Sequence, residues 1–227
     1  MDGNGRWAKK LGGMRIIGHQ RGARSVTNVI EAGVELGLKY ITLYAFSSEN
    51  WNRPQDEISG LMDLLSDTID KKKETLMKHS IRLMTIGDIN MLPAKVKLKL
   101  EKIIALTAAN KGLTLTLALS YSGRNEIVNA VKKIVRCYKE GNKEIEDINE
   151  QIIKDNLYSS ELPDPELLIR TSGEIRVSNF LLWQIAYTEL YFTNTLWPDF
   201  GKDDFYKAIC EYQKRERRFG KTGEQLL

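Results

Sequence analysis

The chain has 227 residues, 42% hydrophobic and 28% charged, with a formal net charge of +4 and a sequence pI of about 8.9. This is ordinary globular composition, long enough to bury a core without staples, and the mild charge argues against a nucleic-acid binder, whose basic residues cluster. No apolar run approaches the roughly 20 residues that span a bilayer, and the first residues, Met1-Asp2-Gly3-Asn4-Gly5-Arg6-Trp7, have no signal-peptide character.

Short apolar runs alternate with helical patterns along the chain. Residues 40–46 form the first β-rich run. From Pro54 onward, Ile58, Leu61, Met62, Leu65 and Ile69 fall on one stripe of an amphipathic helix. Residues 81–86 form a second strand, ending at Gly87-Asp88. Val96, Leu100, Ile103, Ile104 and Thr107 mark a further helix, with Lys95, Lys97, Lys99 and Lys102 on its wetter side. Residues 113–121 are a third strand, followed by a helix with Ile127, Ala130, Val131 and Ile134 inside. The polar residues 140–156 read as a loop and short helix, not a domain boundary. Residues 167–170 and 190–193 are a fourth and fifth strand. A last helix over residues 203–218 turns Phe205, Ala208, Ile209 and Tyr212 inward. Strands alternating with helices predict a single α/β domain, residues 1–227, with a mostly parallel central sheet flanked by helices.

Four segments concentrate polar residues beside glycine or aromatics. In the first, Gly3 and Gly5 flank Asn4 and let backbone N–H groups approach an anion. Arg6, Arg15 and His19 add charge or donors, and a helix beginning after His19 would turn its N-terminus to phosphate. The second, Phe46-Ser47-Ser48-Glu49-Asn50-Trp51-Asn52-Arg53-Pro54, follows a strand and precedes a helix, where α/β enzymes place binding loops. Phe46 and Trp51 suit an apolar chain and Arg53 a phosphate. In the third, Arg170, Arg176 and Ser178 bracket a glycine-containing turn, and two guanidiniums with a hydroxyl suit a diphosphate. The fourth is Arg215-Glu216-Arg217-Arg218-Phe219-Gly220. Each has a plainer alternative from residue chemistry alone: a solvated turn, core aromatics, surface ion pairs or a solvated helix end.

Other chemistries are excluded. There is no Walker loop and no Asp-rich pair of the trans-prenyltransferase kind, since Asp203-Asp204 runs into Phe205, Tyr206 and Lys207. His19 and His79 sit in no zinc-like cluster. Cys137 and Cys210 lie far apart and read as free thiols in a reducing, cytoplasmic setting.

The segments MDGNGRWA, TLYAFSSENWNRP, LALSYSGR, LLIRTSGEIRVSNFLLWQIAYTELYF, WPDF and RERRFG, with Gly18-His19 and Ile86-Gly87-Asp88, occur in one order over nearly the whole chain. Together they resemble the cis-prenyltransferase family, of the undecaprenyl diphosphate synthase (isoprenyl transferase) type. The resemblance implies a homodimer with an apolar tunnel that extends an allylic diphosphate, farnesyl diphosphate, with isopentenyl diphosphate. It implies Mg2+ held by Asp2 and, across the dimer, Glu189. Asp2 and Asn50 are the implied catalytic residues. Gly3, Asn4, Gly5, Arg6, Trp7, Arg15 and His19 are the implied cradle for the allylic diphosphate. Phe46, Ser47, Ser48, Glu49, Trp51, Arg53 and Glu57 form the implied closing loop and helix, and Arg170, Arg176 and Ser178 the isopentenyl diphosphate site. Arg218-Phe219-Gly220 would complete the partner's site. Ala45, Leu61, Met62, Leu65 and Leu113 are candidate tunnel walls, and product release implies a peripheral membrane contact. Synthases of shorter or longer products share the chemistry. A non-catalytic partner subunit would be expected to lack the Asp-Gly-Asn-Gly cradle. The family also places an apolar strand ahead of that cradle. Either Met1 is an internal methionine taken as the start, or the strand is lacking and Asp2 lies on a frayed end.

Overall fold

The computed structural model describes residues 1–141 and 144–218. Its centre is β3 (Thr114–Tyr121), buried along almost its whole length. Such a strand must be covered on both faces, which explains its apolar run. It pairs in parallel with β1 (Tyr40–Ser47) and β2 (Arg82–Ile86), in the order β1-β3-β2, so that Tyr40 and Arg82 both stand beside Thr114. A second parallel pair joins β4 (Leu167–Arg170) to β5 (Glu189–Phe192), with Leu167 opposite Glu189 and Arg170 opposite Phe192.

All five expected strands are present and parallel, but in two sheets rather than one. The reason lies between β1 and β4. A cavity of about 1560 Å³ touches every residue from 37 to 47 and from 162 to 171. Side chains of a strand alternate between faces. A cavity that meets successive residues therefore runs along the strand's backbone edge. The free edges of β1 and β4 face this space and do not reach each other.

The helices are α1 (Asn4–Lys10), α2 (Arg15–Glu35), α3 (Gln55–Lys78), α4 (Ala94–Thr107), α5 (Gly123–Glu140), α6 (Glu150–Asn156) and α7 (Lys202–Gln213). The main core packs Ile58, Met62 and Ile69 of α3 and Val96, Leu100 and Ile103 of α4 against Leu83, Leu115 and Leu119 of the sheet. Three expectations change. Helix α2 starts at Arg15, so His19 lies in its second turn rather than ahead of it. Helix α7 stops at Gln213. On α5, Val131 is exposed and the buried row is Glu126, Ala130 and Ile134. A carboxylate occupies that row because its oxygens are satisfied: Tyr121 Oη donates at 2.6 Å, Gln184 Nε2 at 2.9 Å and the Ser159 amide at 3.3 Å.

Strand β2 is an edge, and unpaired edge groups must find partners. Thr107, fully buried at the end of α4, supplies one: its Oγ1 accepts from the Leu83 amide at 3.1 Å and donates to the Ile103 carbonyl at 2.9 Å. Asn110 Nδ2 donates to the Ile81 carbonyl at 2.8 Å. Thr107→Val keeps the shape and leaves the Leu83 amide unsatisfied, which should lower stability by about 1–3 kcal/mol. Thr107→Ser should retain most of it. Urea denaturation of the two variants against the parent checks the difference, and a loss in Thr107→Ser as large as that in Thr107→Val would mean that the hydroxyl's bonds are worth no more than the methyl's packing.

Candidate active site

The site forms where the chain's first residues meet the C-terminal end of β4. Thr171 Oγ1 accepts from the Asp2 amide at 2.9 Å and donates to the Asp2 carbonyl at 2.8 Å, while the Trp197 amide donates to that same carbonyl at 3.0 Å. Asp2 is therefore pinned, not frayed. Gly3 follows with φ +106°, and a Cβ there would stand 2.9 Å from Leu196 Cδ2 and 3.1 Å from Ser172 Cβ. Only glycine fits both the backbone angle and the space. The Gly3 amide donates to Asp2 Oδ1 at 2.7 Å, and Arg170 Nη2 donates to Oδ2 at 3.0 Å. Burial pushes the Asp2 carboxyl up, but Arg170, the Gly3 amide and Arg6 outweigh it and hold the group below its usual value. It stays ionised, with its side chain 39% exposed toward the cavity.

Arg170 is the junction. Its side chain is 13% exposed. Besides Asp2, it donates through Nη1 to Ser178 Oγ at 2.7 Å and to the Arg176 carbonyl. This one guanidinium thus joins Asp2 to the arm that carries the other two predicted diphosphate residues, a use of its planar fork that lysine could not match. Glu174 holds two further arginines, pairing with Arg6 at 3.1 Å and with Arg176. Arg6 also donates to the Ser172 carbonyl at 3.0 Å and to Ser172 Oγ.

A second basic group faces the same cavity. Glu57, on the first turn of α3, accepts from Arg53 at 2.9 Å and from Arg15 at 3.4 Å, and so gathers both guanidiniums beside His19. Burial, with Arg53 and Arg15 nearby and Glu57 only partly opposing them, lowers the His19 pKa to about 4. His19 is therefore a neutral donor at working pH, not a charge. Asn4 lines the cavity too, and its buried Oδ1 has no hydrogen-bond partner. Gly5, Phe46, Ser47 and Asn50 complete this rim. Asn50 Oδ1 accepts from the Ser47 amide at 3.0 Å, closing the turn between β1 and α3.

Other expected residues are not brought to the cavity. Trp7 Nε1 donates to Asp199 at 2.8 Å, and Trp51 Nε1 donates to Ser120 Oγ at 2.9 Å while its ring packs edge-on to Phe46. Ser48 and Glu49 also lie off the lining; Glu49 Oε1 accepts from Asn179 Nδ2 at 2.7 Å. Glu189 opens β5, three residues from the strand end that meets Asp2, and pairs with Arg215 at 2.9 Å. Arg218 pairs with Glu216, and Phe219 and Gly220 lie outside the described residues. Among the described residues, no cluster of three or more His, Cys, Asp or Glu could hold a metal. Sequence reasoning missed Glu174, Thr171 and the aromatic wall in which Tyr44 stacks on Phe180 at 4.4 Å with Tyr121 edge-on to both.

Away from this polar mouth, apolar side chains form one wall of the cavity. Ala45, Leu61, Met62 and Leu65 line it, as expected. Leu113 does not: it is a buried core residue packed in the main cluster. The arrangement can grip two anionic groups at one end and shelter a hydrocarbon chain at the other.

The family model described as "Putative undecaprenyl diphosphate synthase" matches residues 1–220. The chain is 52% identical to an isoprenyl transferase of Chlorobaculum tepidum, covering 100% of this chain and 85% of that protein. It is 47% identical to the ditrans,polycis-undecaprenyl-diphosphate synthase of Escherichia coli K12, named as specific for (2E,6E)-farnesyl diphosphate, covering 98% of this chain and 88% of that one. The crystal structure of lavandulyl diphosphate synthase from Lavandula x intermedia, in complex with dimethylallyl diphosphate, superposes with a TM-score of 0.95 at 37% identity, covering 97% of this chain and 95% of that one. This similarity over nearly the whole chain leads to one conclusion: the chain belongs to the undecaprenyl diphosphate synthase family of cis-prenyltransferases.

Proposed function

We propose that this protein is an undecaprenyl diphosphate synthase, which extends farnesyl diphosphate with isopentenyl diphosphate units to a long cis-polyprenyl diphosphate. The observation that carries this reading is the Arg170 fork, which ties Asp2 to Ser178 and the Arg176 backbone at the mouth of the apolar cavity.

In this reading Arg170, Arg176 and Ser178 hold the isopentenyl diphosphate, and Asn4, Arg15, His19 and Arg53 take the allylic diphosphate. Asp2, ionised and half exposed, fits Mg2+, which characteristically uses one or two carboxylates together with phosphate oxygens. When bound, the metal would neutralise charge on the diphosphate that leaves. The arginines stabilise that same charge while the allylic carbon–oxygen bond breaks. Neutral His19 donates a hydrogen bond to the anion without competing for the metal. The double bond of isopentenyl diphosphate attacks the freed carbon, and loss of a proton forms the new cis double bond. The diphosphate, Asp2 and a water on Asn4 are the candidate acceptors.

The resemblance puts an apolar strand ahead of the glycine-rich turn. Asp2 sits beside the C-terminal end of β4, so an extended segment leading into it would run parallel to β1 and β4, between their free edges. The growing chain then takes the rest of the cavity, against Leu61, Met62 and Leu65. The dimer, with Glu189 and Arg218 acting across it, belongs to the same proposal. The exposed row of Val128, Val131 and Val135 on α5 offers apolar surface for a second copy.

The proposal is tested by chromatography of dephosphorylated products from farnesyl diphosphate, labelled isopentenyl diphosphate and Mg2+. The parent should give undecaprenyl product, and a short-chain spectrum would favour a synthase of shorter products. Leu61→Trp narrows the cavity and should shift the distribution to shorter chains. Leu113→Ala, in the core, should leave the distribution unmoved and lower stability by about 2–5 kcal/mol.

His19 makes a second prediction. In the folded chain it binds its proton near pH 4, whereas its ordinary value is 6.5. The unfolded chain therefore takes up the proton first, and His19 withdraws stability as pH falls from 6.5 to 4. His19→Gln should flatten the stability profile across that window in urea denaturations at stepped pH. Parallel profiles for parent and variant would show that the acid sensitivity lies elsewhere.

A further inference from the structure

The arm that follows β4 carries Arg176 and Ser178 yet contains neither helix nor strand over residues 172–188. Contacts other than a backbone ladder must fix it. Asn179 makes three. Its backbone carbonyl accepts from the Gly123 amide at 2.7 Å, and its side-chain carbonyl accepts from the Arg124 amide at 2.9 Å. Both amides belong to the first turn of α5, which a helix cannot bond internally. Its Nδ2 donates to Glu49 Oε1 at 2.7 Å, on the 3-10 turn Ser48–Asn52 that follows β1.

The backbone is shaped for this. Asn179 has φ +61°, in the left-handed region that asparagine tolerates better than most side chains, and Ser178 before it has φ +48°. Ser178 is thereby held between Arg170 on one side and the Asn179 contacts on the other. The fit is close: a Cβ on Gly123 would stand 2.9 Å from Leu182 Cγ and 3.2 Å from the Asn179 carbonyl oxygen.

We infer that Asn179 is a positioning residue that latches the turn carrying Ser47 and Asn50 to the arm carrying Arg176 and Ser178, and so sets the spacing between the two diphosphate half-sites. Glu49 serves as the latch acceptor, which accounts for its place off the cavity wall. Neither residue touches substrate in this account. The inference rests on the proposed reading that the arm takes isopentenyl diphosphate.

The test reverses the polarity of one hydrogen bond. Asn179→Gly keeps the left-handed backbone and loses both side-chain contacts, and should raise KM for isopentenyl diphosphate about ten-fold. Asn179→Asp keeps the acceptor for Arg124 but sets a carboxylate against Glu49, and should do at least as much harm. Adding Glu49→Gln to Asn179→Asp restores a donor and an acceptor in the opposite sense. The double variant should return KM to within about three-fold of the parent. Two outcomes overturn the latch: a double variant no better than Asn179→Asp, or an Asn179→Gly variant with a lowered Tm and unchanged KM, as a plain helix cap would give. Rescue in which the KM that moves is that of farnesyl diphosphate would uphold the latch and refute the assignment of the arm to isopentenyl diphosphate.

Discussion

The contact between Arg170 and Asp2 is the constraint on which the rest of the site depends. The two residues are 168 positions apart, and nothing local brings them together. Thr171 does so, by bonding both the amide and the carbonyl of Asp2 at the point where β4 ends. An arginine this buried cannot be left without partners, because an uncompensated buried charge is strongly destabilising. Asp2, Ser178 and the Arg176 carbonyl supply them. The same contacts that make Arg170 tolerable in the fold also aim its neighbours at the cavity. Both oxygens of Asp2 are already used once, so its carboxylate is fixed in direction before any ligand arrives.

The parallel sheets explain why this happens at the cavity mouth. In an α/β fold, ligands bind beyond the carboxyl ends of the strands. Ser47 ends β1 and Thr171 follows β4, and both lie on the cavity wall. Polar groups collect at that end, while Leu61, Met62 and Leu65 of α3 supply an apolar wall behind it. A growing isoprenoid chain gains about 0.8 kcal/mol for each methylene removed from water. In the proposed function, each added unit would draw the chain inward while its diphosphate stays with the arginines, and side chains deep in the cavity would set the product length.

Much of this was legible in the sequence for physical reasons. The strands read as apolar runs, β3 because it is buried on both faces, and all five are present. The stripe of Ile58, Met62 and Ile69 gave α3 its inner face. The polar motifs named Asp2, His19, Arg53 and Arg170, which do share one cavity. What failed depended on tertiary partners. Val131 suited a buried stripe, but Glu126 took that face because Tyr121, Gln184 and Ser159 satisfy its oxygens. Trp51 read as a cover for an apolar chain and Trp7 as part of the diphosphate cradle, yet each ring nitrogen finds a distant acceptor, Ser120 for Trp51 and Asp199 for Trp7. Asn179 carried no periodic signal. Its role comes from a left-handed backbone angle and from two elements that only the fold brings beside it.

Steady-state kinetics of Arg170→Lys tests the central claim most directly. Lysine keeps the positive charge but cannot reach Asp2 and Ser178 together. If Arg170 couples the two half-sites, kcat should fall and KM should rise for both isopentenyl and farnesyl diphosphate. An increase confined to KM for isopentenyl diphosphate, with kcat unchanged, would make Arg170 a ligand of one substrate only and contradict the account.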